Sequence, residues 1–309
     1  MKKIYSILLV LSLAFVLAAC GGSDEGDAKG GDEKEGNSKP ETLVIGFVPS
    51  QDSDTIADTI QPLADRLAEE LDIEVKGQVM TSYTSLVEAM GANQVQVGFI
   101  PAFGYVLANE QYGVEVILKS IRQGSGTYKA QYLVRSDSGI ETLEDLKGKV
   151  WAYPDKASTS GYLFPASQLM KKFDYASAPE LETDYFSATV PAGGHDTAAL
   201  AVLAGDADVA TTFDDVRTEL EEEHPDIMTE LKVIGYTDEI PNDTISVTKE
   251  LDEKLVKKIK KVFLSFNEDP EMIKIMNEVY NWDAISEAAP EEYEVVKETY
   301  KKFKDNIEL

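Results

Sequence analysis

Ser158-Thr159-Ser160-Gly161 places three hydroxyls and one residue without a side chain in four consecutive positions. The run lies between a strand-like segment, Lys149–Tyr153, and apolar positions at helical spacing through Leu163, Ala166, Leu169 and Met170. The first amides of a helix have no intrahelical acceptor, and the helix dipole adds partial positive charge there. Small residues let a ligand approach, so such a turn can hold a tetrahedral oxyanion without a formal cation. Ser158 also has an ordinary reading as a helix N-cap, and both readings use the same amides. Pro165 would disturb a helix begun at Ser158. Either the segment before it is a single irregular turn, or the helix proper starts at Pro165.

Other residues could join that chemistry. His195 follows Gly193-Gly194 and opens an apolar helical run, whereas His224, beside Glu221-Glu222-Glu223, reads as a surface residue. Tyr83, after Ser82 at another helix start, could simply cap the sheet edge, and Asp243, ending the turn-like Ile240-Pro241-Asn242-Asp243, is by itself an ordinary turn residue. Ser160, His195 and an Asp could make a hydrolase triad, but the serine is not in a Gly-x-Ser-x-Gly elbow. With two His, one Cys and no metal-ligand spacing, neither a structural zinc nor another cofactor is expected.

The elements that must position these residues alternate. Strands are expected at Leu43–Val48, Ile73–Met80, Val95–Ile100, Val114–Ile121 and Tyr128–Val134. Helices are expected at Asp54–Leu71, Thr81–Ala92 and, opened by Pro101, Ala102–Asn109. A second block has a cap at Thr142, a stop at Gly148, the strand before Ser158, and a strand around Thr183–Phe186. It continues with a helix over Ala198–Leu203, a turn and strand over Gly205–Thr212, and strands at Leu231–Tyr236 and Thr244–Thr248. Helices close the chain at Leu251–Phe266, Pro270–Val279 and Pro290–Phe303. The alternation implies an α/β fold with parallel-rich sheets. Two lobes are expected, 41–134 with 245–309 and 135–244, joined by crossings near Leu133–Ser136 and Tyr236–Ser246.

Ahead of the folded part, Lys2 and Lys3 precede an apolar run over Ile4–Val16, too short to span a membrane comfortably. Residues 1–19 read as a signal peptide. Leu17-Ala18-Ala19-Cys20 matches the lipobox of bacterial lipoproteins, which makes Cys20 the expected lipidation site and a membrane anchor. A single Cys cannot form an internal disulfide. Gly21–Pro40 holds Gly, Ser and charge without a large apolar residue, the composition of a flexible tether. The net charge is −27, and −29 once Lys2 and Lys3 leave with the signal. That field disfavours nucleic acid. A cleft anion feels mainly the dipoles touching it, since surface fields are screened over roughly 8–10 Å.

Five motifs in order resemble the phosphonate- and phosphite-binding proteins of bacterial ABC importers. They are Ser82-Tyr83…Glu88-Ala89-Met90, Ser158–Ala166, Gly193-Gly194-His195…Ala201-Val202, Gly205–Ala210 and Ile240–Asp243. The resemblance implies a type II periplasmic-binding-protein-like fold, two lobes closing over a small anionic ligand, delivery to an ABC permease, and a monomer. It places phosphonate oxygens on Ser158, Thr159 and Ser160, with His195 as a further donor and Tyr83 and Tyr128 facing them from the first lobe. It puts Asp215, or its neighbour Asp214, opposite a ligand amine, and Asp243 at a second acidic position.

Overall fold

Leu43, Ile45 and Phe47 are fully buried in β1 (Thr42–Phe47), while Thr42 before them and Val44 between them are half-buried. The computed structural model describes residues 40–51, 53–214 and 216–304. The expected signal, Cys20 and the tether up to Lys39 lie outside those residues, and so does Asp215.

α1 (Ser53–Leu71) follows, with Ile56, Ile60, Leu63, Ala64, Leu67 and Leu71 buried on the face that the sequence periodicity marks. β2 (Glu74–Val79) pairs parallel with β1 in unbroken register, Thr42 opposite Glu74 and Phe47 opposite Val79. α2 (Tyr83–Gly91) starts at a reciprocal cap: Ser82 Oγ accepts from the Ser85 amide, and Ser85 Oγ from the Ser82 amide. β3 (Val97–Ile100), α3 (Ala102–Tyr112) and β4 (Glu115–Ile121) complete the first run.

The chain then enters a second sheet. β5 (Thr127–Arg135), β6 (Val150–Tyr153), β7 (Ala188–Pro191), β8 (Val209–Phe213) and β9 (Leu231–Pro241) stand in the order β7-β6-β8-β5-β9. Between them lie α4 (Phe164–Phe173), α5 (Ala178–Glu180), α6 (His195–Ala204), α7 (Val216–Leu220) and α8 (Ile227–Glu230). The chain returns through β10 (Thr244–Val247), α9 (Glu253–Ser265), α10 (Pro270–Tyr280), β11 (Ala284–Glu287) and α11 (Glu294–Phe303). The first sheet then reads β11-β4-β10-β3-β1-β2. The described residues belong to one compact unit.

Three expectations change here. Both sheets are mixed rather than mostly parallel. β1 runs parallel to β2 and β3, and β6 to β7 and β8, but β10 is antiparallel to β3 and β4, and β5 to β8 and β9. Strands that enter directly from the other sheet have no crossover helix to reverse them, which leaves them antiparallel. The second change concerns β5, which pairs wholly in the second sheet, so the crossings sit at 122–126 and 242–243 and Tyr128 belongs to the second lobe. Which sheet takes a strand depends on long-range pairing and not on the strand's own residues. Third, the strand expected around Thr183–Phe186 is a π-turn over Leu181–Tyr185 continuing α5; Ser177 caps its start through the Glu180 amide, and the strand comes later as β7.

Asn242 ties the crossings together. Its side-chain amide donates to the carbonyls of Ser120 (3.0 Å) and Ser125 (2.8 Å), and its backbone amide to Gly126 (3.0 Å).

Candidate functional site

The hydroxyl run forms a turn of its own. Thr159–Leu163 make a π-turn that runs into α4, so of the two sequence alternatives the irregular turn is the one present. Ser158 Oγ caps it by accepting from the Gly161 amide at 3.0 Å. The Leu163 amide reaches back to the Ser158 carbonyl at 3.0 Å. As the first two residues of the turn, Thr159 and Ser160 have amides with no intrahelical acceptor. A Cβ on Gly161 would lie 2.4 Å from Pro154 Cδ, so only glycine closes the turn this tightly.

A buried relay fixes the turn to its sheet. Trp151 Nε1 on β6 donates to Thr211 Oγ1 on β8 at 2.8 Å, and the Thr211 hydroxyl donates on to the Gly161 carbonyl. Trp151 stacks on Tyr162 within the turn, centroids 5.4 Å apart and 6° between planes. The turn is thus positioned by a fully buried tryptophan rather than left as a free loop.

The turn lines a cavity between the two sheets. From the second lobe and its crossings come Ser158, Thr159, Ser160, Tyr128, His195, Phe213 and Asp243; from the first come Ser50, Gln51, Tyr83, Pro101 and Tyr280. Arg122 reaches it from the other crossing. The free volume is about 20 Å³ for the centre of a water-sized body.

Helix starts converge on this space. Tyr83 is the first residue of α2, Pro101 precedes α3, Thr159 opens the π-turn and His195 opens α6. Their dipoles favour negative charge. Several of their amides also hold the lobes together. The His195 amide donates to the Ser50 carbonyl (2.8 Å) and the Phe103 amide to Thr159 Oγ1 (2.9 Å), while the Tyr83 amide donates to the Asp155 carboxylate. The residues of these starts and of the π-turn line the cavity together. Tyr83 Oη is buried with no hydrogen-bond partner among the described residues.

His195 has a defined role by geometry. Its Nδ1 accepts from the Phe213 amide at 3.3 Å, which requires a lone pair there and leaves the proton on Nε2. Nε2 lies 3.4 Å from Ser158 Oγ, on the cavity side. Burial, with Arg122 adding to it, pushes the imidazole down to about 3, so the ring is a neutral donor. No carboxylate stands behind Nδ1, and the Ser–His–Asp relay of the hydrolase alternative is not assembled among the described residues.

Asp243 sits on the wall next to Tyr128 and Tyr280. Burial raises its carboxyl to about 6, an effect Arg122 partly offsets. Tyr128 shares a hydrogen bond with Ser160, and burial drives its phenol far above the usual range. Asp214 is not part of the cavity lining; its carboxylate accepts from the Lys129 amide at 3.3 Å. The structure thus brings together Tyr83, Tyr128, Ser158, Thr159, Ser160, His195 and Asp243, and does not add Asp214.

Sequence reasoning missed Arg122 and Phe213. Arg122 carries its guanidinium carbon 4.8 Å from the Phe213 centroid and 5.8 Å from that of Tyr128. Phe213 ends β8 directly before the acidic pair, and counting the parity of that strand is the signal that would have turned it inward. For Arg122 the local sequence holds none.

The model of the family described as "ABC transporter, phosphonate, periplasmic substrate-binding protein" matches residues 45–293. This chain belongs to that family. Among its relatives, the Phosphate-import protein PhnD of Mycolicibacterium smegmatis is 28% identical over 256 residues, 81% of this chain and 78% of the relative. The Phosphonates-binding periplasmic protein of Escherichia coli is 27% identical over 234 residues, 74% and 67% of the two chains. In fold the chain is similar to PhnD1 from Prochlorococcus marinus in complex with methylphosphonate, with a TM-score of 0.74 and 19% identity over 85% of this chain and 98% of that one. A phosphonate-transporter binding protein from Pseudomonas aeruginosa gives a TM-score of 0.75 at 21% identity over 84% and 86%. The type II two-lobed architecture implied by the motifs is the observed one.

Proposed function

We propose that the chain is a solute receptor that closes over a phosphorus oxyanion of the phosphonate, phosphite or phosphate type and presents it to an ABC permease. The observation that carries this reading is the convergence of the Thr159 and Ser160 amides, three hydroxyls, His195 Nε2–H and Tyr83 Oη on one small buried cavity. Hydrogen bonds to a charged group contribute roughly 1.5–3 kcal/mol each, so four or five support about −8 kcal/mol after association costs, a micromolar affinity. Ser158 keeps its capping bond while its own hydroxyl hydrogen points elsewhere, so cap and cradle coexist.

The receptor acts as a monomer on the extracytoplasmic face of the plasma membrane, held by lipid on Cys20 and tethered through Gly21–Pro40. Among the described residues no helix is long and apolar enough to cross a membrane.

Thermal melting of the purified chain against a panel of anions tests the ligand class. A ligand at ~100 times its Kd adds about 2.7 kcal/mol, a rise of roughly 5 °C or more. Phosphite, phosphate or a phosphonate should produce that rise. If only a sulfonate or carboxylate does, the ligand class is wrong.

A further inference from the structure

Basic residues are unevenly spread over this acidic chain. Residues 249–261 hold six lysines against Glu250, Asp252 and Glu253, a local charge of +3 in a chain of −27. In α9, Leu255, Ile259, Val262 and Phe263 are buried, and helical spacing turns Lys254, Lys257, Lys258 and Lys261 to one exposed face. The four lie within about 100° of arc, and no acidic residue of α9 falls among them. Asp252 is taken up as the N-cap, accepting from the Lys254 and Leu255 amides at 2.9 and 3.3 Å. Glu253 reaches Lys257 at 3.6 Å, and Lys260, off the face, pairs with Glu287 at 2.9 Å. Lys254, Lys258 and Lys261 make no ion pair among the described residues.

The lysine face starts at the end of the first lobe where the described chain begins. Gln96 joins the two places: its Oε1 accepts from the Val44 amide of β1 at 2.9 Å, and its carbonyl accepts from the Thr248 amide, just before α9, at 3.0 Å. Ser50, Gln51, Pro101 and Asp243 lie at the opposite ends of β1, β3 and β10, and they line the cavity. The chain coming from Cys20 therefore joins the folded part on the lysine side and not on the cavity side.

Resting on the lipid-anchored reading above, we propose that Lys254, Lys257, Lys258 and Lys261 form a docking surface for the anionic phospholipid headgroups of the membrane that carries the anchor. A lysine near an anionic bilayer strengthens binding roughly 5-fold. The negative field of the rest of the chain is screened over about 8–10 Å, so it does not cancel a contact made at this face. The tether Gly21–Pro40 holds the face near the bilayer at an effective concentration of order 1 mM, so individually weak contacts suffice. The cavity, at the other end of the same strands, stays clear of the headgroups.

Lysine acetylation read by mass spectrometry tests this on the full chain coupled through Cys20, its only cysteine, to a maleimide lipid in vesicles. On phosphatidylcholine containing phosphatidylglycerol at low salt, the four lysines should react ~3-fold or more slowly than on phosphatidylcholine alone. High salt should abolish the difference, and exposed Lys129 and Lys171 of the second lobe should react alike on both vesicles. The triple variant Lys254→Gln, Lys258→Gln, Lys261→Gln should lose the protection of Lys257. Equal reaction of the four lysines on both vesicles overturns the proposal, as does protection that survives high salt or the triple variant. Protection that appears only when membranes containing the permease are added gives the face to a protein partner and overturns it too. Chemical coupling makes these outcomes independent of natural acylation, which the mass of the protein extracted from cells tests separately.

Discussion

Glu219, on α7 of the second lobe, accepts a hydrogen bond from Gln51 Nε2 of the first lobe at 2.7 Å. Its other oxygen takes Asn281 Nδ2, at the left-handed C-cap of α10, and Arg122 lies 3.7 Å away. With His195 N–H to Ser50 and Phe103 N–H to Thr159, this tie spans the cleft at the rim of the ligand cavity. Contacts made only when the lobes are shut slow ligand escape rather than speed its arrival. Glu219→Ala should therefore weaken binding by ~10-fold or more, mostly in the dissociation rate, while the melting temperature without ligand moves little. Stopped-flow dissociation measures the first and calorimetry the second; an unchanged dissociation rate would show the tie to be idle.

Gly161 should tolerate no substitution. Gly161→Ala drives a methyl group into Pro154 and Ser158 Oγ and breaks a turn held from behind by Thr211. A loss of about 2 kcal/mol or more in urea unfolding, together with lost oxyanion binding, is expected. Ser158→Ala is milder on stability, about 1 kcal/mol for the lost cap, and severe on affinity. Equal effects of Ser158→Ala on both would reduce the residue to its capping role.

His195 binds as a neutral donor, so its contribution should not depend on pH near neutrality. After correction for the ligand's own ionisation, affinity should show no histidine titration between pH 5 and 8, because burial holds the ring down at about 3. His195→Phe keeps an aromatic of similar size, loses Nε2–H and should cost ~10-fold or more in affinity. A titration near pH 6.5 in the wild type that disappears in this variant would contradict the tautomer assigned from the Phe213 amide.

Asp243 and His195 should pull pH-dependent stability in opposite directions. The Asp243 carboxyl is raised to about 6, so between its ordinary 3.8 and 6 the folded state holds more protons and this group's contribution falls as pH rises. His195 is lowered from 6.5 to about 3, so between those values the unfolded state holds more protons and its contribution rises with pH. From about pH 4 to 6 the two largely cancel. Asp243→Asn removes one side of the balance, so its stability should climb more steeply with pH than the wild type's, by up to about 1.4 kcal/mol per unit. Urea midpoints from pH 4 to 6 measure it, and parallel curves would place Asp243 in water.

The elements that local pattern specifies were legible. The buried face of α1, the cap of α2 at Ser82 and the strand over Lys149–Tyr153 are written in short-range spacing, while at Ser158 that spacing left an irregular turn and a helix begun at Pro165 both open. Most of the cavity's donors were placed by the resemblance of five motifs in order, because a hydroxyl run at a helix start, taken alone, reads equally as a cap. The misses share a cause. The sheet that takes β5, the crossing that brings Arg122 over Phe213, and the grip of Glu219 on Gln51 depend on residues 91 and 168 positions apart meeting in space. No local periodicity encodes such a meeting. Phe213 was hidden by its acidic neighbours, whose charge drew attention that strand parity assigns to the ring.

A crystal structure of the chain grown with methylphosphonate tests the central claim most directly. The expected result is phosphonate oxygens within about 3 Å of the Thr159 and Ser160 amides, the Ser158–Ser160 hydroxyls and His195 Nε2, with the methyl group turned towards Phe213. An anion held away from the Ser158–Gly161 turn, or oxygens resting on Arg122 alone, would contradict it.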